Sequence, residues 1–70
     1  MRREEVMIEM RHARMLGFCA RGVRMWCQRH GIEYSRLLAG QVSAAEALAT
    51  GDDMGRMVAE MAIQMAEEAQ

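Results

Sequence analysis

The chain has 70 residues, of which 51% are hydrophobic and 27% charged, and its formal net charge is −1. This length allows one small domain, predicted over residues 1–70 with residues 1–5 a candidate for disorder, and the composition excludes both a disordered tail and a membrane span. Proline is absent and threonine occurs once, whereas alanine, methionine, leucine, arginine and glutamate dominate, so we predict an all-α fold of three to four helices with almost no sheet.

Charge is divided unevenly between the two halves of the chain. Residues 1–36 carry eight arginines and four glutamates, whereas residues 37–70 carry one arginine and six acidic residues. All nine basic residues are arginine, whose planar guanidinium favours bidentate pairs with carboxylates or phosphates. We expect the two halves to pair with each other, within one molecule or between molecules, and a nucleic-acid surface is the alternative.

The segment from Val6 to His30 is predicted to form one long N-terminal helix. Its apolar residues fall on one arc about 120° wide, which is the expected core face: Met15, Leu16, Cys19, Val23, Trp26 and Cys27. His30 and Gly31 are predicted to end this helix, with Ile32 folding back in a Schellman-type cap.

A helix of this length does not fit inside so small a domain. About 25 residues span roughly 37 Å, whereas a compact domain of this size is roughly 28 Å across. The helix is therefore expected to bend near Gly17 and Gly22 or to be covered by another chain, and we favour self-association or docking into a larger assembly. Apolar residues among charged ones predict an external contact strip on its outer side: Arg14, Phe18, Arg21, Met25 and Arg29.

Two short helices are predicted next. The segment from Tyr34 to Ala39 has helical character and is closed by Gly40. Ser43 and Glu46 have the spacing of a capping box, so a third helix is expected to start there and to run to about residue 49.

The last helix is predicted to begin at Asp52 and Asp53, after a break at Gly51. Ile63 is expected to point away from its main face, which is almost entirely methionine and comprises Met54, Met57, Val58, Met61 and Met65, with Ala62 beside them. We interpret this face as core or oligomer interface, and an adaptable groove for a peptide is the alternative. The whole predicted core comprises Met15, Leu16, Cys19, Val23, Trp26, Ile32, Tyr34, Leu37, Leu38, Leu48, Met57, Val58, Met61 and Met65.

Four side chains on the first helix are the candidates for chemistry: His12, Cys19, Cys27 and His30. The spacing of Cys27 and His30 could serve a metal ion, but Cys19 lies about 12 Å from Cys27 along a straight helix. We therefore expect reduced thiols, no disulfide and a helix-capping His30. Since no third group stands near a cysteine–histidine pair, we predict no catalytic, cofactor-binding or metal-binding residue, no enzyme activity and no small-molecule substrate.

The segment from Tyr34 to Thr50 could also be drawn as a DNA-binding helix-turn-helix. Its second helix would then have to read bases, yet its first turn holds alanines and Glu46, and none of the arginine, asparagine or glutamine side chains that contact base edges. The second helix therefore has few side chains that could recognise DNA bases.

One run of residues carries a family resemblance. The pattern Cys19-x-x-Gly22-x-Arg24-x-Trp26-x-x-x-His30-Gly31-Ile32-Glu33-Tyr34, followed by Leu37-Leu38, Gly40 and Thr50-Gly51-Asp52-x-Met54, resembles short proteins encoded in tailed-phage and prophage genomes, over residues 13–62. In this chain Cys27 stands where a second aromatic is common, and Gln41-Val42-Ser43 replaces a Gly-Ile-Pro-like entry to the third helix. The resemblance implies an all-helical accessory protein of phage origin, and it brings no catalytic residue.

From these observations we expect a small phage-encoded structural or assembly protein that binds itself or a virion component. It is expected in the host cytoplasm or associated with the virion, because no signal peptide or membrane-spanning segment is recognisable. The alternative is a phage-encoded regulator or inhibitor that uses its arginine-rich helix face against nucleic acid or a host protein.

Overall fold

The computed structural model describes residues 3–69, and of Glu4 only the backbone. The predicted helical character is confirmed, but the predicted count of three to four helices is too low. Five helices make up most of the described fold: α1 (Met10–Met15), α2 (Ala20–Arg29), α3 (Tyr34–Leu38), α4 (Ala44–Ala49) and α5 (Asp53–Glu68). Two short strands, β1 (Met7–Ile8) and β2 (Val42–Ser43), flank the first three helices. Arg3–Glu5 form a 3-10 turn, so part of the segment proposed for disorder is ordered, and Met1 and Arg2 lie outside the described residues.

The prediction of one long N-terminal helix is wrong. Gly17 adopts a left-handed φ of +88°, and Phe18 N–H donates to Ala13 O (3.0 Å), which closes α1 with the cap expected only at Gly31. Cys19 then starts α2, because its Sγ accepts from Gly22 N–H (3.4 Å). The molecule measures 32 × 22 × 21 Å, so no helix overhangs the core and the length argument for a covering chain no longer applies.

The expectation of almost no sheet misses one pairing. β1 and β2 are antiparallel, with Met7 opposite Ser43 and Ile8 opposite Val42. Ile8 and Val42 are completely buried, and this contact fixes the start of the chain against the entry to α4. Composition predicts long strands and sheets, whereas a ladder of two residues depends on one contact between two apolar side chains. Overall composition therefore does not exclude it.

The predicted end of α2 and the predicted starts of α3, α4 and α5 agree with the structure to within about a residue. Ile32 N–H donates to Cys27 O (2.9 Å) around Gly31, whose φ is +69°, so α2 ends in the Schellman cap. Ser43 Oγ accepts from Glu46 N–H (3.2 Å) at the start of α4. The Glu46 carboxylate, however, accepts from Arg36 (2.7 Å) instead of completing a capping box, and this hydrogen bond lowers the pKa of Glu46.

The core is built from smaller side chains than the sequence predicts. Four predicted core residues are buried (Val23, Trp26, Leu37 and Val58), six are half-buried (Leu16, Ile32, Tyr34, Met57, Met61 and Met65), and four are exposed (Met15, Cys19, Leu38 and Leu48). The turn at Gly17 rotates Met15 and Cys19 away from the core, and α4 buries its alanines instead of Leu48. Ten buried apolar residues are absent from the predicted core, and most of them are small: Ile8, Met10, Ala13, Cys27, Val42, Ala44, Ala47, Ala59, Ala62 and Ile63.

Helix α5 buries a different face from the predicted one. Its buried residues are Gly55, Val58, Ala59, Ala62 and Ile63, so the prediction that Ile63 points away from the core is wrong. The four methionines of α5 are half-buried along one border of this face. Small residues are buried between the two helices because they let α5 lie close to α4, and the long flexible methionines pack at the edge of this interface.

Candidate binding surface

The outer side of α2 is an exposed surface on which every charged residue is an arginine. Helix α2 buries Val23, Trp26 and Cys27 and exposes the opposite side, which we call the basic face and which comprises Arg21, Arg24, Met25, Gln28 and Arg29. No acidic residue occurs within Ala20–Arg29. Met25 is 55% exposed among the arginines, so the surface combines positive charge with one apolar side chain.

Ion pairs inside the molecule leave the basic face uncompensated. Of the first-half arginines that the structure describes, two pair with acidic residues of the second half: Arg3 (3.6 Å to Glu67) and Arg36 (2.7 Å to Glu46). The Arg11–Glu9 pair stays within the first half. Among the side chains that the structure describes, no carboxylate lies within ion-pair distance of four exposed arginines: Arg14, Arg21, Arg24 and Arg29. Pairing within the molecule therefore does not account for the charge of α2.

Arg24 of the basic face makes a cation–π contact with a neighbouring helix. Its guanidinium carbon lies 5.1 Å from the centroid of the Tyr34 ring, in cation–π geometry. Tyr34 begins α3 and is half-buried, so this contact joins the outer side of α2 to the next helix.

The predicted contact strip is placed in part on this surface. Arg14, Arg21, Met25 and Arg29 are exposed, and the last three belong to the basic face. Phe18 does not share this surface, because it follows the turn at Gly17 and packs half-buried against the core. The strip omitted Arg24 and Gln28, although helical periodicity already placed both on the charged side.

A polar cluster fixes the position of α2 on the side opposite the basic face. The Trp26 indole donates to both carboxylate oxygens of Asp52 (3.1 and 3.0 Å), and His30 Nε2 donates to Oδ2 (2.8 Å). Gly55 N–H donates to Oδ1 (2.7 Å), so Asp52 also caps α5. We call Trp26, His30, Asp52 and Gly55 the Asp52 cluster; it holds the C-terminal half of α2 against the N-terminus of α5.

The hydrogen bonds of the Asp52 cluster stabilise the charged form of the Asp52 carboxylate. Partial burial raises the pKa of Asp52, but hydrogen bonds from Gly55, Trp26 and His30 outweigh it and lower the pKa to about 2. A cavity of about 360 Å³ opens beside His30 and Thr50. The Thr50 hydroxyl donates to Ala47 O (2.7 Å), so it does not have the hydrogen bond to His30 that an activated nucleophile requires.

The four candidate metal ligands are placed in different surroundings. His12 accepts from Glu9 N–H through Nδ1 (2.9 Å), whereas His30 is held by Asp52. Both thiols are free; Cys19 is exposed, and burial raises the pKa of Cys27. Over residues 3–69 no three metal-ligating side chains come together.

The segment proposed as a helix-turn-helix does contain two helices, α3 and α4, but strand β2 lies between them. The exposed residues of α4 are Ala45, Leu48 and Ala49, none of which can read a base edge by hydrogen bonding. None of the helices in residues 3–69 has both the length and the apolar character that a membrane crossing requires.

Comparisons with family models, curated proteins and solved structures give no match to this chain. Among the described surfaces, the basic face of α2 combines arginines that lack a carboxylate partner with an exposed methionine.

Proposed function

We propose that this protein acts by protein–protein binding through the basic face, as a small phage-encoded structural or assembly protein. The observation that carries the proposal is the exposed Met25 among arginines that have no carboxylate partner in the described part of the chain. Methionine and arginine are both enriched at protein interfaces. The phage origin in this proposal rests on the sequence resemblance, and with it the host cytoplasm or the virion as the place of action.

The partner that fits the basic face is an acidic protein surface with an apolar recess for Met25. A second copy of the chain offers such chemistry on α5, whose exposed side carries Asp53, Glu60, Glu67 and Glu68. A neighbouring virion component with an acidic patch would serve equally. Electrostatic attraction would speed encounter and set orientation, and burial of Met25 would add apolar area.

Nucleic acid is the second candidate partner, because the same arginines could contact phosphates. Two features favour protein. Met25 stands where a phosphate-binding surface gains nothing from an apolar group, and the net charge of the whole chain is −1. Enzyme activity is not part of the proposal, since the Asp52 cluster uses its polar groups in holding two helices together.

The test places a photo-crosslinking amino acid at position 25 and, as the matched control, at exposed Ala45 on α4, outside both α2 and α5. Crosslinking is carried out in cells that produce the phage, and light scattering at two protein concentrations measures the mass of the purified protein. We expect position 25 to capture one defined protein, a second copy or a virion component, and Arg21→Glu to abolish that capture.

The control for charge is Arg14→Glu, which makes the same reversal at an exposed arginine outside the basic face and should leave capture intact. Equal capture from positions 25 and 45, or no effect of Arg21→Glu, would contradict the proposal. DNA retention at low salt that is lost in Arg21→Glu, without protein capture, would support the regulator alternative instead.

A further inference from the structure

Strand β1 has one edge without a partner strand. Ala44 N–H donates to Val6 O (2.7 Å), and hydrogen-bonded and non-hydrogen-bonded pairs alternate along an antiparallel ladder. Met7 and Ser43 therefore form a non-hydrogen-bonded pair, so the N–H and C=O of Met7 point away from β2. Within residues 3–69 no other group bonds either of them.

A groove of about 450 Å³ borders this open edge. One wall is the β1 segment and the start of α1, and the other is the C-terminal half of α5. Its volume lies in the range of about 300–1,000 Å³ that is usual for ligand sites. Most of the lining is apolar: Val6, Met7, Ala62, Met65, Ala66 and Ala69.

His12 gives the groove a buried hydrogen-bond donor. The residue is 2% exposed and lines the groove, and because Nδ1 accepts from Glu9 N–H the ring proton is on Nε2. Burial and the charge of Arg11 lower the pKa of His12, which keeps the ring neutral. The Nε2–H, which no described group accepts, belongs to a side chain that lines the groove.

We propose that the open edge of β1 and this groove form a binding site for an extended peptide segment of another protein. The peptide would pair with the N–H and C=O of Met7 as an added strand, insert one apolar side chain between β1 and α5, and accept a hydrogen bond from His12 Nε2–H. Glu5, exposed at the rim and without an ion pair among the described side chains, favours a lysine or arginine beside that apolar residue.

A single extended strand fits this site better than a second folded copy. The edge of Met7 lies at the border of a groove walled by α1 and α5, and a single extended strand needs less room between these walls than a folded copy does. The site shares no residue with the basic face, and the proposal stands or falls independently of the one made for α2.

The test selects a displayed library of random dodecapeptides on the wild-type protein, with depletion on Ala66→Trp. The tryptophan would fill the groove from α5, and Ala45→Trp on exposed α4 is the matched control for bulk and apolarity. We expect enriched peptides with one apolar residue next to a basic residue. Their synthetic forms should bind Ala66→Trp at least about tenfold more weakly than the wild type and bind Ala45→Trp unchanged.

A second variant covers the case in which Ala66→Trp does not fold, as judged by circular dichroism. N-methylation of the Met7 amide in a synthetic chain removes a donor that the fold does not use, and we expect it to weaken binding about three- to tenfold. An unenriched library, or peptides that bind the N-methylated chain as tightly as the wild type, would overturn the proposal.

Discussion

Replacing Gly55 by alanine is expected to destabilise the fold, whereas the same change at Gly22 is expected to stabilise it. The two glycines occupy the same position, three residues after the N-cap of a helix, and each donates its N–H to the capping side chain. Alanine is preferred to glycine inside a helix by about 1 kcal/mol. Local sequence rules therefore predict the same gain at both sites.

The surroundings of the two glycines decide otherwise. A Cβ at Gly22 would lie 3.7 Å from Cys19 Sγ, an ordinary contact, so the gain of about 1 kcal/mol should be kept. A Cβ at Gly55 would press on the backbone oxygen of Ala47 and lie 2.5 Å from Thr50 Oγ1 and 3.1 Å from Trp26 Cζ2. Overpacking of this kind costs about 1–3 kcal/mol. We take the upper end because a backbone carbonyl cannot rotate away, which leaves a net loss of about 2 kcal/mol.

The assay is thermal unfolding followed by far-ultraviolet circular dichroism, since fluorescence of Trp26 would also report the local contact with residue 55. For a domain of this size about 1 kcal/mol shifts Tm by roughly 4–8 °C. We expect Gly55→Ala to lower Tm by about 8–16 °C and Gly22→Ala to raise it by about 4–8 °C. A Tm of Gly55→Ala at or above that of the wild type would refute the close packing of α4 on α5.

Three further predictions test other parts of the structure. Asp52→Asn keeps an acceptor for the α5 cap but removes the charge, and should lower stability at pH 7 by about 1–2 kcal/mol, discounted for partial exposure. Because the folded pKa of Asp52 is about 2, below its ordinary 3.8, this stabilisation is present above pH 4 and is lost as the pH falls towards 2. Acid titrations of the wild type and the variant should therefore converge at the low-pH end. Gly17→Ala should destabilise by about 1–2 kcal/mol in urea unfolding, because φ is +88° at that position, whereas a continuous helix would make it stabilising. Under native conditions a thiol reagent should label exposed Cys19 rapidly and buried Cys27 only on unfolding; equal rates would contradict the burial of Cys27.

The ends of the later helices could be read from the sequence because the signals are local. Gly31 and Gly40 stop α2 and α3, and Ser43 and Asp52 start α4 and α5, each through hydrogen bonds that reach only a few residues along the chain. Composition was enough for the helical class, and the order of the residues was enough to place the arginines of α2 on one side.

The break at Gly17 was not predictable in the same way. Gly17 and Gly22 both interrupt a helical pattern, and both precede apolar residues at helical spacing. The chain turns at Gly17 because Phe18 then packs against the core, and it continues through Gly22 because that residue faces only the cap of its own helix. Phe18 therefore does not lie on the same surface as the other residues of the predicted contact strip.

The sequence by itself therefore determined the helical class, most helix ends and the division of charge, all of which depend on composition or on neighbours along the chain. Only the tertiary structure decided which face of α5 is buried, how β1 meets β2 and how closely Gly55 approaches Ala47. These features depend on contacts between residues far apart in the chain. Small side chains such as Ala59 and Ala62 become core only when another helix comes close enough to cover them.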